Sequence, residues 1–117
     1  MSEVTDDCLF CRFVAGDPKP DVVHETATTL AFRDVNPQAP THVLVVPRAH
    51  HANAAALAVA APEVMVDLVN AAAAVAEAED LEEGYRMVLN TGGKAGQTVF
   101  HVHLHVLGGR AMQWPPG

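Results

Sequence analysis

The chain has 117 residues, the size of one domain. Half of them are apolar and only 5% aromatic, so a core must be built mainly from Val, Leu and Ala. Fourteen acidic residues against seven basic give a net charge of -7. That balance argues against nucleic-acid binding, which needs a basic surface to displace counterions, and against docking on anionic lipid. The opening MSEVTDD lacks the basic start and apolar run of a secretory signal. Apolar stretches such as 71–76 are too short to span a bilayer, and the chain reads as cytoplasmic.

Residues 1–7 read as a flexible lead and 8–117 as a single domain. Residues 8–15 read as a short helix stopped at Gly16-Asp17-Pro18. Its two cysteines, Cys8 and Cys11, cannot make a disulfide scaffold; a C-x-x-C pair suggests metal or redox chemistry first, with two buried thiols as the plain alternative. Residues 22–25 and 28–34 read as short strands. The two prolines of 36–40 make a turn, and the β-branched run 42–46 is a strand ended by Pro47. An Ala-rich tract covers 52–76, and within it the long helix should start near Pro62, a residue suited to a first helical turn. Met65, Leu68, Val69, Ala72, Val75 and Ala76 recur at helical spacing as its apolar face. Glu77, Glu79 and Asp80 crowd the end that prefers cations, which predicts fraying there. Residues 85–90 read as a strand, 91–96 as a glycine-rich loop, and 98–107 as the last strand. Five strands with short links, one short helix and one long helix point to an α+β fold with antiparallel neighbours.

The last strand carries the chemistry. Along His101-Val102-His103-Leu104-His105-Val106, alternation puts the three histidines on one outward face, about 6.5–7 Å apart, and Val102, Leu104 and Val106 on the other, under the long helix. A lone strand histidine is ordinarily structural; three at period 2 point to function. Imidazole serves as metal ligand, acid/base or nucleophile, and the strand alone does not choose. Gly92, Gly93 and Gly96 allow a close backbone approach and a nest of successive N–H groups for an anion, with Gln97, Thr98 and Asn90 as added donors.

This run resembles the motif of the histidine triad (HIT) family, His-φ-His-φ-His-φ-φ with φ apolar, from His101 to Leu107. Asn36-Pro37-Gln38-Ala39-Pro40-Thr41-His42, Gly84-Tyr85-Arg86, Gly96-Gln97-Thr98-Val99, Leu107-Gly108-Gly109-Arg110 and Trp114-Pro115-Pro116-Gly117 are similar to its Hint branch. The resemblance covers nearly the whole chain. It implies a five-stranded antiparallel sheet with a short and a long helix, paired as a homodimer. It also implies hydrolysis of purine nucleoside 5′-phosphoramidates to an AMP- or GMP-type product and an amine. His103 would attack the α-phosphate, His105 would contact the phosphoryl oxygens, and His42 would support the nucleophile. Asn90, Gly96, Gln97 and Thr98, with Leu104 beside His103 and His105, would surround the phosphate. Asp34, beside Val35, would accept from the ribose hydroxyls, and Phe10, Phe13 and Phe32 would line the base pocket. Lys94-Ala95 departs from a pattern that is often acidic and glycine, which would tune leaving-group preference. The tail would reach the partner subunit's site and let Trp114 influence substrate choice.

Some family members also carry a structural zinc, Zn2+, on two N-terminal cysteines, the His after the Pro-Arg turn and the first His of the triad. By that likeness the ligands are Cys8, Cys11, His50 and His101, with His51 as an exposed loop neighbour. The rival readings are a dinucleoside polyphosphate hydrolase of a sister branch, a non-catalytic nucleotide-binding module and a purely structural zinc protein.

Overall fold

A computed structural model of the chain describes residues 7–117. Residues 1–6 of the expected lead lie outside the described residues. In chain order the elements are α1 (Leu9–Ala15), β1 (Val22–Glu25), β2 (Thr29–Arg33), β3 (Thr41–Pro47), α2 (Ala54–Ala60), α3 (Pro62–Ala78), β4 (Tyr85–Val88), a 3-10 turn (Gly93–Ala95) and β5 (Leu104–Gly108). The five strands form one antiparallel sheet in the order β1-β2-β3-β5-β4. The α+β expectation therefore holds, as does the antiparallel sheet.

The sheet's two faces separate by the period of 2. Ala31, Val43, Val45, Leu104 and Val106 meet Leu68, Ala71, Ala72 and Val75 of α3, together with Leu57 of α2, in the main core. Leu30, Phe32, Leu44 and Val46 face the other way, against Phe10 and Cys11 of α1. The second face also carries His42 and His105, so α1 roofs the sheet beside the histidines.

Helix ends follow local rules. Gly16 closes α1 in the left-handed region, φ 83°, with Gly16 N–H on the Phe13 carbonyl and Asp17 N–H on the Arg12 carbonyl, as in a Schellman motif. The end of α3 does not fray as the acidic run predicts. Asp80 takes φ 60°, Leu81 N–H reaches back to the Ala76 carbonyl at 2.9 Å, and Leu81 is buried. Glu79 accepts two hydrogen bonds from the Arg33 guanidinium, at 2.9 and 3.1 Å, so the charge that opposes the helix dipole is neutralised from β2.

Three expectations are corrected. The helices are not one short and one long: α2 stands before α3, capped by the Asn53 side chain, which accepts from Ala56 N–H at 2.9 Å. A stretch of alanine broken only by Leu57 and Val59 shows no clear apolar stripe, and Pro62, with no N–H, forces the break between α2 and α3. The β4 strand stops at Val88, short of the expected 90. The last strand begins at Leu104, not at 98. The register pairs Val45 with Leu104, so extending it would set Val102 against Pro47, which has no N–H to offer. Val102 N–H turns instead to the His51 carbonyl, at 2.8 Å. Among the described residues, no helix is long and apolar enough to cross a membrane.

Candidate active site and metal centre

Because the ladder ends at Leu104, the three histidines do not share one outward face. His101 is fully buried, His103 is buried and His105 half-buried. The structure divides them between two clusters.

The first joins Cys8, Cys11, His50 and His101, whose ligand atoms all lie within 4.8 Å of one another. Cys8 caps α1, its Sγ accepting from Cys11 N–H at 3.3 Å, which brings both thiols to the same end of the helix. His101 Nδ1 is 3.4 Å from each sulfur, and His50 Nδ1 is 3.3 Å from Cys11 Sγ. A tetrahedral zinc ion, with bonds of about 2.3 Å to sulfur and about 2.05 Å to nitrogen, sets S···N edges of about 3.6 Å. The donor set therefore fits zinc in kind and in spacing, with four protein ligands and no open position. Carbonyls only accept, so the 2.8 Å contact between His101 Nε2 and the Pro47 carbonyl puts the proton on Nε2 and leaves Nδ1 as a lone pair facing the sulfurs. Burial holds the His101 pKa down, to about 4, and keeps the ring in its ligating, neutral form. Burial pushes the Cys8 thiol up, so a nearby cation is what would favour its thiolate. His51, expected to be exposed, is half-buried, and its carbonyl holds Val102.

The second cluster lies on the open side of α1. His103 Nδ1 is 2.9 Å from the His101 carbonyl, so Nδ1 carries the proton and Nε2 keeps a lone pair. The Phe10 ring stands edge-on to His103, with centroids 5.0 Å apart, and limits its rotation. The tautomers of the next two rings follow in the same way. Gln38 N–H donates to His42 Nδ1 at 3.0 Å, so a neutral His42 is protonated at Nε2. That N–H donates to His105 Nδ1 at 2.9 Å, so His105 is protonated at its own Nε2. Asp34 Oδ2 lies 3.4 Å from His42 Nε2 and favours the same proton position. Burial is the first cause lowering the His42 pKa, opposed by Asp34. Burial first, then the neighbouring rings of His103 and His42, brings His105 down to about 4. Asp34, His42 and His105 have metal-like spacing. The Gln38 N–H nevertheless excludes a neutral His42 from offering Nε2 as a ligand, and the group is a hydrogen-bond relay.

A cleft of about 280 Å³ opens on these rings. Phe10, Phe13 and Phe32 line it together, with centroids 5.1–5.9 Å apart; Phe32 meets the other two edge to face, and Phe10 and Phe13 are tilted by 30°. Asp34, Val35, Gly96, Thr98, His103 and His105 are also in its lining. Val35 is almost wholly exposed, and Asp34 Oδ1 accepts from Asn36 N–H at 2.9 Å. A larger hollow between the β1–β2 turn and α3 is lined by a single imidazole, His24, and its Asp67 carboxylate already accepts from the Thr28 hydroxyl at 2.8 Å.

The glycine loop differs from expectation. Ala95 N–H and Gln97 N–H both donate to the Gly92 carbonyl and Gly96 N–H to the Gly93 carbonyl, at 3.0–3.1 Å. The run of amides expected to cradle an anion instead closes its own 3-10 turn. Gly96 ends that turn at φ 99°, a conformation that favours glycine. Gln97 is buried, with its amide fully bonded inside the protein. Leu104 points to the opposite, α3 face of the sheet. Among the described residues, the Thr98 hydroxyl and N–H and the Asn90 amide are engaged by no other protein group. A Cβ on Gly96 would lie 3.9 Å from Asn90 Nδ2, so that amide abuts the loop. The orienting roles of Gln38 N–H and the Pro47 and His101 carbonyls were not visible in the sequence, because backbone atoms carry no residue-type signal.

Comparison with known proteins agrees with this geometry. The HIT domain pattern matches residues 16–112. A 14 kDa zinc-binding protein of Zea mays is 44% identical over 112 residues, covering 93% of this chain and 87% of that protein. A HIT family hydrolase from Legionella pneumophila superposes with a TM-score of 0.91 at 46% identity, covering 95% of this chain and all of the other. A histidine triad nucleotide-binding protein from Candida albicans gives a TM-score of 0.81 at 29% identity, covering 93% of this chain and 83% of the other.

Proposed function

The chain belongs to the HIT domain family, and on that premise we propose that it is a Hint-type hydrolase of purine nucleoside 5′-phosphoramidates. The observation that carries the reading is the tautomer of His103. Its Nδ1–H is held by the His101 carbonyl, so the free Nε2 is an unprotonated nucleophile in a cleft that also presents the His105 Nε2–H.

The base stacks among Phe10, Phe13 and Phe32, and Asp34 accepts from the ribose hydroxyls. His103 Nε2 attacks the α-phosphorus; the new N–P bond forms as the P–N bond to the amine breaks, and the amine leaves with a proton taken from solvent, which the attacking water of the second step returns. Charge on the phosphoryl oxygens is met by the Thr98 hydroxyl and N–H, the Asn90 amide and the His105 Nε2–H. Water then attacks the same phosphorus, the N–P bond to His103 breaks, and the nucleoside monophosphate departs. Gln38, His42 and Asp34 keep His105 a donor throughout.

Cys8, Cys11, His50 and His101 would hold zinc, which supplies a structural cross-link and no reactive position. That cross-link fixes α1, and with it Phe10, against the histidine run. The favoured assembly is a homodimer. Exposed Tyr85 and Met87 lie on the edge strand β4, and Val66 and Val69 are exposed on α3, apolar groups that a second copy would cover.

Turnover of an adenosine phosphoramidate set against a diadenosine polyphosphate tests the substrate. Faster cleavage of the phosphoramidate is expected, in keeping with the Gly108-Gly109-Arg110 ending and the Trp-Pro-Pro-Gly tail. Faster cleavage of the polyphosphate assigns the sister activity instead. A His103→Ala chain that still binds AMP but has lost turnover excludes the non-catalytic module.

A further inference from the structure

Gln97 sits in the loop where a phosphate ligand is expected, yet both donors of its side-chain amide, the groups a phosphate would need, are used within the protein. Its Oε1 accepts from Gly92 N–H at 2.8 Å. Its Nε2 donates to the Ala52 carbonyl at 2.7 Å and to the Val99 carbonyl at 3.1 Å. An amide nitrogen has two hydrogens, and both are used. Its main-chain N–H is on the Gly92 carbonyl at 3.1 Å, so Gly92 and Gln97 are joined twice and the 92–97 loop is a closed ring. The residue is only 3% exposed.

The outward contact, to Ala52, reaches the segment that organises the rest of the site. His50 joins the Cys/His cluster, the His51 carbonyl takes Val102 N–H at 2.8 Å, and the Ala52 carbonyl takes Gln97. Three successive residues thus tie together the metal centre, the histidine run and the glycine loop. Thr98, the next residue after Gln97, lines the cleft, and its hydroxyl and N–H are unengaged among the described residues.

We propose that Gln97 is a positioning residue: it clasps the glycine loop to residue 52 and so aims Thr98, and it does not itself touch substrate. The ligand half of this inference rests on the reading of Thr98 as a phosphate donor; the clasp itself does not.

The test uses Gln97→Glu, which keeps an acceptor for Gly92 but cannot donate to Ala52 or Val99, and Gln97→Met, which keeps length and removes all three bonds without burying a charge. Amide exchange, followed residue by residue in the folded variants, reads the clasp; affinity for AMP against adenosine reads the phosphate. The expected result is faster exchange at Gln97 in both variants and at Gly92 in Gln97→Met, with AMP binding weakened about tenfold and adenosine binding unchanged. Weaker AMP binding with exchange unchanged would mean that Gln97 contacts the phosphate, and the proposal falls. It falls equally if exchange rises while AMP affinity stays the same, or if neither moves. If wild-type protein gains no affinity from the phosphate, the functional reading fails, and exchange alone decides the clasp. A check without substitution is the Gln97 side-chain NH2 signal in 15N-labelled protein. Saturating AMP should leave it in place while the Thr98 amide moves; a large shift of the NH2 signal overturns the proposal.

Discussion

Replacing His42 with Phe separates the relay from the nucleophile. The ring keeps its place on β3, beside Leu44 on the same face, but both nitrogens are lost. Two partners are left behind: Gln38 N–H, at 3.0 Å, and His105 Nδ1, at 2.9 Å. Each buried polar group left unsatisfied costs roughly 1–3 kcal/mol. Gln38 lies in an exposed turn where water can replace the lost acceptor, so most of the effect falls on His105. Freed from its donor, His105 populates the other tautomer, with the proton on Nδ1 and a lone pair facing the phosphoryl oxygens. A lost donor of that kind corresponds to a decrease in kcat of about 10- to 100-fold. KM should move much less, because Asp34 and the Phe rings are untouched. Steady-state kinetics on an adenosine phosphoramidate give the split, and imidazole 15N shifts give the tautomer: protonated Nε2 on His105 in the wild type, a mixture in His42→Phe. A variant with kcat within about twofold of wild type, or with His105 still protonated only at Nε2, refutes the relay.

Two other predictions follow from the same geometry. His105 titrates near 4 when folded and near its ordinary 6.5 when unfolded, and burial lowers His42 in the same sense. The unfolded chain therefore binds more protons in that window; stability is full above pH 6.5 and falls as pH drops toward 4. Denaturant melts across this range should show the slope, and it should flatten in His105→Asn; an unchanged slope there contradicts the buried, neutral assignment. For the metal centre, purified protein should carry one zinc per chain by elemental analysis. Cys11→Ser should lose it and melt well below wild type, whereas His51→Ala keeps it; a Cys11→Ser chain with full zinc would mean that the ligand set is wrong.

Much of this was legible in the residues. The strands at 22–25 and 42–46, the Pro62 start of the long helix and the core face built on Leu68, Ala72 and Val75 follow from periodicity and from the restrictions on proline. The Cys8, Cys11, His50, His101 quartet was assembled from family likeness, and the structure brings its donor atoms together. What sequence could not supply was decided by backbone hydrogen bonds. Alternation along 101–106 assumes a strand, but Pro47 ends the ladder and turns His101 into the metal cluster while His103 stays at the cleft. Glycines in the 92–96 loop are equally compatible with an anion nest and with a closed 3-10 turn, and the bonds to the Gly92 carbonyl select the turn. Gln97 and Leu104 lie in the right stretch of chain, but a buried amide with three internal partners and a side chain on the far face of the sheet are not visible in a one-dimensional pattern.

The central claim is that His103 becomes covalently bonded to phosphorus during turnover. Wild-type protein mixed with a radiolabelled adenosine phosphoramidate and quenched in alkali, where a phosphorus–histidine bond survives, should yield a labelled peptide with the nucleotide on His103. Label found only in free AMP at every quench time, under single-turnover conditions with excess enzyme, would contradict the account.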